Sequence, residues 1–300
     1  MTQAKSSPKN CRKCQGNSYL LSNRAGRVHA DFCECFNCEK CGGDGRVFVE
    51  KENGISYLND CECMVLKKRL KTLNGAGIPG KFADKSLETY QTMFDKTQKT
   101  AKARAQDFVK DFTNPGSESP RGLVFMGPPG LGKTHLASAI LKKLILEEGV
   151  DGKFVDFFQL LSDIRHAYSE DRSEQSVINP YIRARLLVID ELAKGRNNEW
   201  ELTVLDQFIS NRYNAADKWT LFTTNFLNPS ARANSKADPG DLMDTNAKFL
   251  SDSYKSETLP DRIGERIYSR MEEMSQFIHM EGKDYRHHVK PAHQKRKPRN

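Results

Sequence analysis

The residues best suited to chemistry form one short run, Gly127-Pro128-Pro129-Gly130-Leu131-Gly132-Lys133-Thr134. An apolar stretch at 121–126 precedes it, and a helical pattern runs from about His135 to Glu148. In that setting the glycines let main-chain N–H groups converge, and the positive end of a helix points at the same spot, so the pattern binds phosphate. Lys133 can reach the outer phosphates of a nucleoside triphosphate and Thr134 can ligate Mg2+. Residues Gly127 to His135 are therefore the candidate nucleotide contacts, with ATP and Mg2+ as expected cofactors. Further on, Arg185-Leu186-Leu187-Val188-Ile189-Asp190-Glu191 is an apolar run too short for a helix that ends in two acids. It predicts a buried parallel strand. At its carboxyl end Asp190 would hold Mg2+ through water, and Glu191 would polarise the water that attacks the terminal phosphate. A third apolar run, 219–224, ends in Asn225, which could orient that water or simply form a turn.

The second reactive set is the cysteines, all eight of which lie between Cys11 and Cys63. Cys11-x2-Cys14 is followed after eighteen residues by Cys33-x-Cys35, and Cys38-x2-Cys41 after nineteen residues by Cys61-x-Cys63. Each copy supplies four sulfurs, the set that closes a tetrahedral structural zinc site with no position left for water. Two zinc ions per chain are expected, holding a small domain together and catalysing nothing. Disulfides are the rival reading, though MTQAKSSPKN at the start has no apolar core of a signal peptide. Two pairings are open. One is sequential within each copy; the other is crossed between copies, as in the cysteine-rich domain of DnaJ chaperones, whose repeats Cys38-Glu39-Lys40-Cys41-Gly42-Gly43-Asp44-Gly45 resembles.

These groups need elements to position them. Between the cysteine pairs, 19–21 and 46–50 read as hairpin strands, the second turning near Glu52-Asn53-Gly54. Residues 64–73 read as a basic helix and Asn74-Gly75-Ala76-Gly77 as a hinge. A helix at about 97–112, a strand at 153–157 and amphipathic helices at 159–168 and 200–214 complete an alternation of strand and helix, which means a parallel sheet covered on both faces. The expected division is a tail at 1–9, a zinc domain at 10–65, a linker at 66–95, a nucleotide domain at 96–288 and a basic tail at 289–300. The polar stretch 228–259 is expected to be a loop. The 300 residues carry 47 Lys and Arg against 39 Asp and Glu, a formal +8. Two four-thiolate zinc sites would lower this to +4, and 281–300 alone carries +5, so the basic excess is largely a tail. Mean hydropathy is −0.68 and no run of 18 apolar residues exists, so no membrane span and a cytoplasmic location are expected.

Taken together, these motifs resemble the AAA+ ATPases of the DnaC/DnaI helicase-loader and IstB transposition-helper group. The resemblance runs from about Gly77 to Tyr285 and includes Gly77-Ile78-Pro79 with Phe82, 132–137, Val188-Ile189-Asp190-Glu191, Glu199-Trp200-Glu201, Asn211-Arg212-Tyr213 and Thr223-Thr224-Asn225. Gly264-Glu265-Arg266-Ile267-Tyr268-Ser269-Arg270-Met271 resembles the group's arginine motif. The resemblance implies an α/β fold with a five-stranded parallel AAA+ core, and with thirty residues after Arg270 no separate helical lid is expected. It makes Arg266, or else Arg270 one turn on, an arginine finger for the neighbouring subunit's ATP site, Asn225 a water-orienting residue and Arg286 the second sensor. It implies self-association through the ATP sites, and as partners a hexameric replicative helicase, gripped by the zinc head, and single-stranded DNA. For DNA the candidates are Arg165, Tyr168, Arg172, Tyr181, Arg183 and Arg185. A transposition helper acting on duplex DNA shares the core motifs, and a DnaJ-like adaptor would use the zinc domain alone.

Overall fold

The computed structural model describes residues 11–50, 55–92, 95–114, 120–195, 198–230, 257–282 and 284–285. The expected tails, the Asn-Gly turn, nearly all of the 228–259 stretch and Arg286 lie outside the described residues.

The centre is a parallel sheet of β5 (Gly122–Met126), β6 (Gly152–Asp156), β7 (Leu186–Asp190), β8 (Trp219–Thr224) and β9 (Gln276–His279) in the order β6-β7-β8-β5-β9. All of β5, β7 and β8 are buried, because both faces are covered. Alternation along the strands sorts their side chains. Leu123, Phe125, Leu186, Val188 and Leu221 pack with α1 (Cys63–Asn74), α2 (Lys96–Thr113) and α3 (Lys133–Glu148). Val124, Leu187, Ile189 and Phe222 pack with α4 (Phe157–Ser169), α5 (Glu174–Arg183), α6 (Glu199–Tyr213), α7 (Leu259–Ile263) and α8 (Glu265–Met274). Each fully buried Leu, Ile or Phe contributes about 1.5–3 kcal/mol, so the sheet edge is rigidly held.

Register then places the chemistry. Met126 pairs with Thr224, and Asp156 with Asp190, so the carboxyl ends of the central strands finish level. After α8 the chain turns straight into β9 beside β5, with no helical lid among the described residues. Sequence patterning did not locate β9. Its four residues are too few to show a period.

The cysteine region forms two antiparallel hairpins, β1 (Tyr19–Arg24) with β2 (Arg27–Phe32), and β3 (Arg46–Glu50) with β4 (Ser56–Asp60). The first is fastened to the body. Val28 N–H donates to Ile78 O at 2.8 Å, Gly80 N–H donates to Gly26 O at 2.8 Å, and Val28 and Ala30 join the main core. The expected hinge at 74–77 is instead a locked junction. The Asn74 side-chain amide accepts from Ala30 N–H at 2.6 Å and donates to Ala30 O at 3.0 Å. Ala76 O accepts from Phe154 N–H at 2.7 Å, and Lys153 Nζ donates to Gly75 O at 2.6 Å. The stretch read as a linker likewise contributes Leu70, Leu73, Ile78, Leu87 and Tyr90 to the core. The second hairpin differs: every β4 residue is exposed, and Phe48 is 79% exposed. No helix among the described residues is long and apolar enough to cross a membrane.

Candidate functional site

The phosphate loop leaves β5 at its carboxyl end and enters α3. Gly127 has φ 134°, and a Cβ there would lie 2.1 Å from Met280 O, because β9 holds Met280 against Met126. Gly132 has φ 82°, and a Cβ there would meet the Tyr90 ring at 2.6 Å. Only glycine allows both approaches. Tyr90, which sequence reasoning passed over, donates its hydroxyl to Leu131 O at 2.8 Å and so props the loop from the segment before the core. Lys133 is buried and donates to Gly127 O at 2.6 Å and Pro128 O at 2.7 Å. Nucleotide phosphates would take over these bonds, with the N-terminus of the sixteen-residue α3 adding its dipole. Pro128, Pro129 and Gly130 complete the turn, and Tyr285 N–H donates to Gly130 O at 3.1 Å. His135 is turned elsewhere. Its Nε2 lies 2.8 Å from Ser86 O, its ring meets Tyr90 edge-on, and burial lowers its pKa.

Across the edge, Thr134 donates its hydroxyl to Asp190 Oδ1 at 2.8 Å. Thr223 donates to the same oxygen at 2.5 Å and accepts from Glu191 N–H at 3.0 Å. Burial raises the Asp190 carboxyl pKa, and the two hydroxyls act against that rise. A hydroxyl beside a buried carboxylate at a phosphate loop fits Mg2+, which Thr134 and Asp190 would hold. Thr223 was missed as a site residue because a threonine in a strand reads as an ordinary β-former. Glu191 has φ 54° and its carboxylate is paired with Lys194. Asn225 follows β8 at the same edge and is half-buried. The structure therefore brings Lys133, Thr134, Asp190, Glu191 and Asn225 to one edge.

The arginine motif lies on α8, which packs on α6. Arg270 is mostly buried, donates to Asp206 Oδ1 at 2.8 Å and to Ser210, and faces the Tyr213 ring at 6.0 Å. Arg266 is 73% exposed and pairs with Asp206 Oδ2 at 3.5 Å. The neighbouring helix supplies the counter-charge. Most of the residues considered for DNA make contacts within the fold. Arg165 stacks on Trp200 at 4.6 Å and bonds buried Glu201, Tyr168 bonds Glu174, Arg172 bonds Glu170, Tyr181 packs on Phe208, and Arg185 lies over Phe112. Arg183 is exposed. Arg212, noted only as part of a motif, is 1% exposed. It donates to Thr220 Oγ1 and to the carbonyls of Tyr181, Ile182, Ala184 and Trp219, closing the end of α5 onto the sheet.

Both cysteine sets close sequentially: Cys11, Cys14, Cys33 and Cys35 form one cluster, and Cys38, Cys41, Cys61 and Cys63 the other. None is in a disulfide. Sulfur separations are 3.8 Å for Cys11–Cys33, 3.4 Å for Cys14–Cys35, and 3.5 Å for both Cys38–Cys61 and Cys41–Cys63. A zinc tetrahedron with Zn–S of about 2.3 Å has edges of about 3.8 Å, so both sets fit the ion. Backbone N–H groups, first that of Cys14, bring the Cys11 thiol down to about 6. At Cys41 burial acts upward, but the N–H groups of Gly45 and Gly43 outweigh it, again giving about 6. The repeats share a further detail: Lys13 pairs with Glu34 across the first set as Lys40 pairs with Glu62 across the second.

Residues 67–228, more than half of the chain, match the family described as IstB-like ATP binding protein. The chain is 24% identical over 206 residues to the phage-like element PBSX protein XkdC of Bacillus subtilis (strain 168), covering 66% of this chain and 74% of that protein. It is 27% identical over 146 residues to the replicative helicase loader DnaC of Escherichia coli (strain K12), covering 48% of this chain and 57% of that relative's length. A crystal structure of the DnaC helicase loader superposes with a TM-score of 0.50 at 27% identity, over 67% of this chain and 99% of that one. With a phosphate loop, a buried aspartate beside it and a five-stranded sheet already in place, the chain belongs to the IstB-like ATP binding protein family and is an AAA+ ATPase.

Proposed function

We propose that this ATPase loads a hexameric replicative DNA helicase onto single-stranded DNA, hydrolysing ATP at the interfaces between its own subunits. Lys133 and Thr134 hold the triphosphate and Mg2+ with Asp190, Glu191 activates water with Asn225 orienting it, and Arg266 of an adjacent subunit neutralises the charge that develops. Arg270, tied to Asp206, fixes the angle of the helix that presents Arg266. The exposure of Arg266 supports its use by a neighbour.

The observation that carries this reading is the contrast between the two zinc hairpins. The first is locked into the ATPase body; the second projects, with Phe48, Val49, Leu58 and Val65 among its exposed large apolar residues and its following helix. An apolar patch of that kind suits a protein partner. A transposition helper is the second reading, supported by the family description itself. The test uses the full chain, because residues 1–73 alone would strip Val28 and Ala30 of their packing. Co-elution with a replicative helicase hexamer, lost in Phe48→Asp/Leu58→Asp while ATP binding is retained, is the expected result. Co-elution with a transposase and not with the helicase would establish the second reading.

A further inference from the structure

Arg262 has no place in the chemistry described so far, yet it is built into the site. It lies in α7, four residues before Arg266, with its side chain 16% exposed. Its Nη2 donates to Ala193 O at 3.1 Å and Gly195 O at 2.6 Å, Nη1 pairs with Glu257 at 3.2 Å, and its plane lies over Phe226 at 5.1 Å. Both carbonyls belong to the loop that begins at Glu191.

That loop needs holding. Glu191 and Ala193 have φ 54° and 69°, the left-handed region that side chains other than glycine disfavour. On the inner side β8 secures it, since Leu192 N–H donates to Thr223 O at 2.8 Å and Leu192 O accepts from Thr224 Oγ1 at 3.0 Å. The outer side has the Arg262 fork. A guanidinium suits the task because its donors are fixed in one plane and can reach two carbonyls at once.

We infer that Arg262 is a positioning residue for hydrolysis. It clamps 193–195 so that Glu191 stays at the sheet edge, and it ties that loop to the segment that carries the finger arginine. The inference rests on Glu191 being the base. It adds a connection within one subunit: a shift of Arg266 into a neighbour's site moves α7, and with it the loop holding this subunit's own base.

The test compares Arg262→Met, Arg262→Lys, Glu191→Gln and the Arg262→Met/Glu191→Gln double variant. The readouts are kcat, KM, affinity for a fluorescent ATP analogue and thermal midpoint. Displacing a reacting group by about an ångström lowers rate by up to about a hundredfold. Arg262→Met should therefore lose about ten- to a hundredfold in kcat with KM and affinity within about twofold, and Arg262→Lys should recover part of the loss. If Arg262→Met folds poorly, Arg262→Lys carries the comparison alone. The double variant should be no slower than Glu191→Gln alone, because the clamp acts only through the base. Wild-type kcat in Arg262→Met and Arg262→Lys, or losses that multiply in the double variant, would overturn the inference. Normal turnover by Glu191→Gln would instead remove the base assignment itself.

Discussion

Thr223→Val isolates the hydrogen bonding at the sheet edge while preserving side-chain shape. The hydroxyl donates to Asp190 at 2.5 Å and accepts from Glu191 N–H at 3.0 Å, in a position where Thr223 is 1% exposed. Removing it deletes a hydrogen bond to a charged acceptor, worth about 1.5–3 kcal/mol, and leaves the Glu191 N–H without this partner. In the proposed mechanism both groups serve hydrolysis, whereas nucleotide grip lies with the phosphate loop. A loss of about 2–3 kcal/mol in transition-state stabilisation corresponds to roughly 30- to 150-fold in kcat. The Thr223 hydroxyl also lowers the raised Asp190 pKa, so its removal raises that pKa further. Protons then compete better with Mg2+, and the Mg2+ concentration for half-maximal turnover should rise as pH falls, more steeply than in the wild type. The assay is steady-state ATP hydrolysis across Mg2+ and pH, with binding of a fluorescent nucleotide measured without metal. An unchanged kcat and Mg2+ midpoint would refute the role given to Thr223. An equal loss of metal-free nucleotide affinity would show that the substitution disturbs the phosphate loop instead.

Metal analysis of the full chain should return two zinc ions, and a value of one would overturn the paired clusters. Arg212→Met removes a cation with five hydrogen bonds, about 5 kcal/mol gross; relief of burying a charge without a carboxylate partner offsets part of this. Denaturant unfolding should show a net loss of about 2–4 kcal/mol, and a change within about 0.5 kcal/mol, the level of a surface substitution, would contradict it. Burial brings Lys142 down from 10.5 to about 8. The unfolded chain then binds the extra proton between those values, so wild-type stability should rise with pH across that window, and Lys142→Met should flatten the rise.

What was legible in the sequence was local. Gly127 to Thr134 announces its chemistry because loop, lysine and helix start are contiguous, and the four strands of the central sheet that were found are short apolar runs ending in turn or acidic residues. The cysteine spacing picked out the eight sulfurs that cluster, though it left the pairing open until they were placed. The missed features join distant residues. Thr223 matters through Asp190, 33 positions away, and the supposed hinge is rigid because Asn74 bonds Ala30 across 44 positions. Arg262 gives no local signal either, since its partners lie 67 and 69 residues back. In the aromatic and arginine-rich stretch considered for DNA, most members also contact other residues of the fold, which spacing alone does not show.

In the proposed mechanism one subunit's triphosphate is completed by the next subunit's arginine, and mixing two inactive variants decides whether it is. Arg266→Ala should bind ATP but hydrolyse it about a thousandfold or more slowly, and Lys133→Ala should bind no nucleotide. Combined in equal amounts they should regain turnover, because mixed interfaces pair an intact loop with an intact arginine. A mixture no more active than its separate components would contradict the shared site.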